Sequence, residues 1–150
     1  MICKIMDTMK SEFNLHRFVE AQDSFSCYEK ALAEVSQGRK QGHWIWYVFP
    51  QIVGLGRSYQ ANYYGIGSRQ EAKAYLEHEV LQSRLYEITT ALLQHREKSA
   101  QAIFGGLDAM KVCSSMTLFE AIKPNSVFTE VLEVFYGGHR CKKTLEFLKL

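Results

Sequence analysis

The chain has 150 residues, enough for one ordinary domain and too few for two. Hydrophobic residues make up 47% and charged residues 23%, which excludes a disordered, collagen-like or coiled-coil chain. The net charge of +2 is too small to indicate a nucleic-acid partner, and no apolar run approaches the ~18 residues of a membrane span. We therefore expect a cytoplasmic protein with no membrane partner, either a monomer or a weak homo-oligomer.

We interpret residues 1–12 as a flexible N-terminal leader, because they lack the apolar core of a secretion signal. Helical periodicity dominates the chain after this leader. Asn14 is a candidate N-cap for a first helix. A second helix is predicted to run toward Gly38, which suits the left-handed position after a helix end. The apolar positions that define the two inner faces are Leu15, Phe18, Val19, Phe25, Tyr28, Leu32 and Val35.

The segment HWIWYVFPQ at residues 43–51 is ambiguous, since its aromatic and β-branched residues also favour a strand. No second strand-like run is present for it to pair with. We therefore predict a buried helical turn that Pro50 ends, followed by a glycine-containing loop at 54–56.

Six further helices are predicted in the remainder of the chain. Ser68 and Glu71 have the spacing of a capping box, Asp108 is placed as an N-cap, Pro124 stops the helix that Asp108 opens, and Asn125 begins the next. The predicted ranges are 68–76, 80–94, 99–104, 108–122, 125–136 and 144–148. The sequence thus predicts an all-α fold, a single compact multi-helix domain at residues 13–150 with no substantial sheet.

Residues 43–58 form the first candidate site, because indoles, an imidazole, an amide and a guanidinium near a glycine-containing turn can stack a planar ligand and hold an anion. The alternative is that the tryptophans are core residues, that the histidine caps or packs, and that the glycines only turn the chain. The candidate residues are His43, Trp44, Trp46, Gln51, Arg57 and Ser58.

The predicted helix 108–122 is the second candidate, since Lys111, Ser114 and Ser115 fall on one face, with Thr117 nearby. Its polar groups either line a cavity or are explained by close packing through serines, with Lys111 reaching outward. His43 and Lys111 are the candidate catalytic residues, as proton shuttle and anion holder. A serine nucleophile is disfavoured because no elbow motif surrounds either serine. The carboxylates, among them Glu71, are explained by capping or exposed helix faces.

Neither a metal site nor a cofactor is expected. The four cysteines are scattered without a CxxC pair, which is typical of reduced thiols rather than a disulfide framework or a zinc site. Cys113, His139 and Cys141 could in principle bind a metal, but they lack paired, closely spaced ligands. The glycine spacing does not match a phosphate-binding loop.

Five motifs together resemble the domain-of-unknown-function family numbered 1810 over residues 13–150. They are LHRFVEAQ at 15–22, HWIWYVFPQ with GLGRS at 43–58, EAKAYLEH at 71–78, FG at 104–105 and KVCSSMTLF at 111–119. The resemblance implies a small, all-helical, single-domain bacterial fold with no assigned activity. Cys141 stands where the family pattern commonly has an Asp, so an acid-assisted reaction at that position is in doubt. A looser similarity to NADAR proteins, which act on ADP-ribose-type N-glycosides, is an analogy only.

Two functional hypotheses follow. The first is a cytoplasmic domain that binds, and as an enzyme would hydrolyse, a small anionic nucleotide or ADP-ribose-type ligand in a pocket between residues 43–58 and 111–117. The second is a non-catalytic protein-interaction module in which the tryptophans are core. The first requires that the two segments meet at one solvent-accessible cavity. Nucleic acid is a less favoured partner, because no helix gathers the basic residues.

Overall fold

The computed structural model describes residues 13–149, so the predicted leader at 1–12 lies outside the described residues. The all-α prediction is confirmed, and within residues 13–149 the only extended pairing is a parallel bridge between Ile52 and Ile66. The first five helices are α1 (His16–Asp23), α2 (Cys27–Ser36), α3 (Ile45–Val48), α4 (Tyr59–Tyr63) and α5 (Arg69–Glu77). The others are α6 (Glu79–Leu92), α7 (Ala100–Phe104), α8 (Gly106–Ile122), α9 (Val127–Tyr136) and α10 (Lys142–Leu148). Short 3₁₀ turns occupy Ser24–Ser26 and Leu93–His95.

Helix α8 is the centre of the domain and packs against α3, α5, α7, α9 and α10. Six consecutive residues of this helix, at 114–119, are buried. A helix with apolar or small side chains on every face is covered by other elements on every face, which explains why its neighbours surround it. None of the helices in the described part of the chain is long and apolar enough to cross a lipid bilayer.

The ambiguous segment is a helical turn, as predicted. Helix α3 packs against α1 and α8 and buries Ile45 and Val48. Phe49 lies at the end of the turn, with its ring edge-on to Phe104 at a centroid distance of 5.9 Å. This position fixes the loop that follows against the start of α8.

Three predicted N-caps are wrong by one to three residues. Leu15 is the N-cap of α1, without a side-chain hydrogen bond, because Asn14 adopts a positive φ of 48°. Gly105, at φ 82°, opens α8 and leaves Asp108 inside the first turn. Ser126, rather than Asn125, caps α9 through a box with Thr129. In each case a backbone conformation that sequence spacing does not reveal moved the boundary.

The capping box at α5 is only half formed as predicted. Ser68 Oγ accepts a hydrogen bond from the Glu71 amide, but Glu71 Oε1 accepts from the amide of Gly67 instead of Ser68. Glu71 is buried, and its second oxygen pairs with Arg17 at 2.8 Å. The expectation that capping and exposure explain Glu71 is therefore incomplete, because it also belongs to a buried ion pair.

Candidate binding cleft

An open cleft of about 690 Å³ lies where α7, the start of α8, the end of α9 and the residues before α10 meet the loop that follows α3. Its volume is within the ~300–1,000 Å³ typical of small-molecule sites. Its surface is mainly apolar, with a few polar groups. The side chains that matter most are Gln51, Leu55, Met110, Lys111, Cys113, Ser114, Phe135, Tyr136, Cys141 and Lys143.

The two candidate segments of the sequence meet at this cleft. Gln51 comes from the first segment, and Lys111 and Ser114 come from the second. Trp46 lies next to this region, because the Lys111 ammonium is 5.5 Å from the centroid of its ring. These residues of the two segments therefore meet at one accessible cavity, as the first hypothesis requires.

Gln51 is the most informative polar residue of the cleft. It follows Pro50, and its backbone carbonyl accepts a hydrogen bond from the Ile66 amide at 2.9 Å, which fixes its position. Only 7% of the residue is exposed, yet its side-chain amide has no hydrogen-bond partner among residues 13–149. Gln51 lines the cleft, so a ligand bound there could supply the missing hydrogen bonds.

Lys111 belongs to a network of three charges. Its ammonium lies 3.2 Å from Asp108 Oδ1, while Lys40, whose side chain is 7% exposed, lies 2.7 Å from Asp108 Oδ2. Burial raises the pKa of the Asp108 carboxyl, but the hydrogen bond and charge of Lys40, followed by those of Lys111, outweigh burial and lower it below its usual range. Asp108 is therefore ionised at neutral pH and retains one buried cation even when Lys111 turns away.

Four candidates of the first segment lie elsewhere. Trp44 is buried core: its indole N–H donates to Glu34 at 2.9 Å, and Lys40 lies 5.0 Å from the ring centroid. His43 and Arg57 are exposed and do not line the cleft. Ser58 caps α4, a helix missed in the sequence, by accepting from the Ala61 amide at 3.1 Å.

Two candidates of the second segment serve packing. Ser115 is fully buried, and its hydroxyl has no hydrogen-bond partner in the described part of the chain. Thr117 Oγ1 donates to the Cys113 carbonyl at 2.8 Å and accepts from the Cys141 amide at 2.9 Å. Thr117 therefore ties the segment before α10 to α8, behind the wall of the cleft.

Sequence reasoning missed the contribution of the C-terminal part of the chain. Tyr136 donates its hydroxyl proton to the Ala109 carbonyl at 2.6 Å, and burial raises the pKa of this phenol. Cys113 and Cys141 were considered as reduced thiols or metal ligands and not as residues of the candidate site. No group of three or more His, Cys, Asp or Glu side chains that could hold a metal occurs among residues 13–149. The glycine pair at 137–138, which returns the chain to α8, is the signal that could have placed these residues at the cleft.

Comparison with known proteins identifies the family. The model of the family described as "Protein of unknown function (DUF1810)" matches residues 12–148, and the chain belongs to this family. A search of the curated proteins gives no match. Among solved structures, the chain is similar to the conserved hypothetical protein Rv1873 from Mycobacterium tuberculosis, with 44% identity, a TM-score of 0.89, and coverage of 93% of this chain and 99% of that chain. The looser similarity to NADAR proteins is not shown by these comparisons.

Proposed function

We propose that the protein binds a small anionic ligand of nucleotide or ADP-ribose type in the cleft between α7, α8 and α9. The observation that carries the proposal is the nearly buried Gln51, whose amide has no hydrogen-bond partner among the described residues and which lines the same accessible cavity as Lys111. Binding sites of this kind combine an apolar surface with a few convergent polar groups. The amide would hydrogen-bond the ligand, and the ammonium would hold its anionic oxygens.

The charge network supports the availability of Lys111. Its side chain is 26% exposed, and its contact with Asp108 is longer than that of Lys40 with the same carboxylate. An anion can therefore attract Lys111 while Lys40 still neutralises Asp108. Lys143, which also lines the cleft, adds a second cation.

The aromatic surface of the cleft differs from the one proposed from the sequence. Phe135 and Tyr136, rather than the tryptophans, provide the flat apolar wall against which a base or another planar group would stack. No histidine, aspartate or glutamate is among the residues that line the cleft. We limit the proposal to binding, because no contact among the described residues singles out a general acid or base for a particular scissile bond.

The affinity of ADP-ribose tests this proposal by isothermal titration calorimetry of the wild type, Lys111→Met and Gln51→Leu. We expect each variant to bind at least about tenfold more weakly, since each loses a hydrogen bond to a charged or buried group. Lys30→Met, which removes an exposed lysine of α2 outside the cleft, is the control and should bind as the wild type does. Absence of binding to the wild type, or equal affinity of Lys111→Met, would refute the proposal.

The interaction-module hypothesis retains one supporting observation. Leu107 and Met110, at the rim of the cleft, are 77% and 69% exposed. Exposed apolar side chains beside a cavity are typical of a docking surface. This alternative would be preferred if ADP-ribose and AMP both fail to bind the wild type.

A further inference from the structure

Two thiols share one wall of the cleft, Cys113 on α8 and Cys141 immediately before α10. Ser114 Oγ lies 3.1 Å from the Met110 carbonyl oxygen and 3.3 Å from Cys141 Sγ, so its proton is within reach of both acceptors. The Cys141 amide is held by Thr117 at 2.9 Å. The sulfur of Cys141 is thus fixed at the cleft and is not fully buried.

The surroundings of the two thiols make them unequal. Burial raises the pKa of the Cys141 thiol, but the Ser114 hydroxyl and polar groups of Thr144 and Lys143 outweigh burial and lower that pKa. For Cys113, burial and then the charge of Cys141 raise the pKa, against smaller lowering effects of the Thr117 hydroxyl and the Arg140 charge. Because the thiolate is the nucleophile, Cys141 is the more reactive of the two at neutral pH.

A second, independent feature points to a ligand site in the cleft that this sulfur lines. Gln51 as a residue is more than nine-tenths buried, its side-chain amide lacks a hydrogen-bond partner among the described residues, and it lines the same cleft. Lys111 and Lys143 line it as well and can hold an anionic group. A ligand that hydrogen-bonds the Gln51 amide and pairs with these lysines would occupy the cleft that Cys141 lines.

The composition of the cleft restricts the reaction that the thiol can perform. Thioester or ester hydrolysis through a cysteine needs a base that activates water to release the acyl group, and the hydroxyl in contact with Cys141 Sγ, that of Ser114, is a hydrogen-bond donor. Addition to an activated carbon–carbon double bond needs only a thiolate and a final proton. The geometry therefore favours addition without a leaving group.

We infer that Cys141 is a covalent modification site that adds to an anionic α,β-unsaturated carbonyl compound bound in the cleft. This inference rests on the proposed anion-binding function. The sulfur forms a bond to the β-carbon, the π electrons of the double bond move to the α-carbon, and a proton from water is added there. The proton that the thiol released balances the reaction, so nothing is oxidised or reduced and no group leaves.

Reaction with acrylamide, a neutral acceptor, tests the thiol alone. Peptide mapping by mass spectrometry should show Cys141 reacting at least about tenfold faster at pH 7 than Cys27 or Cys113. Ser114→Ala should slow the reaction at Cys141 several-fold and move its pH midpoint upward, because the sulfur loses a hydrogen-bond donor. Ser115→Ala, the matched control, removes a hydroxyl from the same helix without touching Cys141 and should react as the wild type does.

Reaction with monomethyl fumarate, an anionic acceptor, tests the cleft as well. Its rate at Cys141 should saturate with concentration in the wild type and become linear in Lys111→Met. Selective reaction with acrylamide but no saturation by monomethyl fumarate would overturn capture of a bound anion and leave the nucleophile supported. Equal reactivity of Cys141 and Cys27, or identical behaviour of Ser114→Ala and Ser115→Ala, would overturn the assignment of Cys141 whether or not the cleft binds ADP-ribose.

Discussion

At the scale of single residues, Arg17 forms a set of side-chain hydrogen bonds that no sequence pattern predicted. Its guanidinium donates to the backbone carbonyls of Phe13, Asn14, Tyr63 and Gly65 and to the carboxylate of Glu71. Both side chains of the ion pair are less than a tenth exposed. Arg17 therefore connects α1 with the loop between α4 and α5, and its charge is compensated inside the domain.

We expect Glu71→Ala to lower the free energy of unfolding by about 3–5 kcal/mol, since it leaves a buried guanidinium without its counter-charge. Urea denaturation followed by circular dichroism measures this loss. The matched control is Glu77→Ala, which removes the exposed partner of Lys73 on the same helix and should change stability by less than ~0.5 kcal/mol. Equal effects of the two substitutions would contradict the structural role of the Arg17–Glu71 pair.

At the scale of elements, Asp108 ties the first turn of α8 to the loop after α2, through Lys40. Because the folded-state pKa of Asp108 lies below its unfolded value, the carboxylate contributes stability above the unfolded pKa of ~3.9. That contribution is lost as the pH falls through the folded-state pKa. The junction of these two elements therefore weakens in acid.

Comparison of the wild type with Asp108→Asn over pH 2–7 tests this pH dependence. The variant should be less stable at pH 5–7 by a nearly constant amount, because Lys40 loses its charged partner. The difference should shrink as the pH falls below ~4, where the wild-type carboxylate also becomes protonated. Thermal unfolding by calorimetry provides the measurement, and a difference that does not depend on pH would contradict the role assigned to the ionised carboxylate.

At the scale of the whole molecule, the contacts of α8 with five other helices predict that the domain unfolds as one unit. Phe119→Ala should lower the unfolding free energy by about 3–5 kcal/mol, since the ring is fully buried between Tyr75 and Phe128. Tryptophan fluorescence, which reports on residues 44 and 46, and circular dichroism, which reports on all helices, should give the same urea midpoint. Leu107→Ala, at an exposed position of the same helix, should stay within about 0.5 kcal/mol of the wild type.

The sequence was sufficient for the all-α class, for most of the helices other than α4, and for part of the cleft. Helical periodicity predicted α8, and Pro124 predicted that this helix ends at Ile122, because a proline cannot continue a helix. Periodicity could not place His43 relative to Lys111, since their distance depends on how α3 docks, not on spacing along the chain. The role of Gln51 also depends on the absence of a partner for its amide, which only three-dimensional packing reveals.

The contact between Lys111 and Trp46 has a practical consequence for detecting occupancy. The ammonium lies over the indole, and an anion that drew it away would change the electric field at the ring. Trp44 lies in the protein core and has its own lysine, which Asp108 holds in place. We therefore expect the fluorescence of Trp46 to report, without any added label, whether an anion has bound to Lys111.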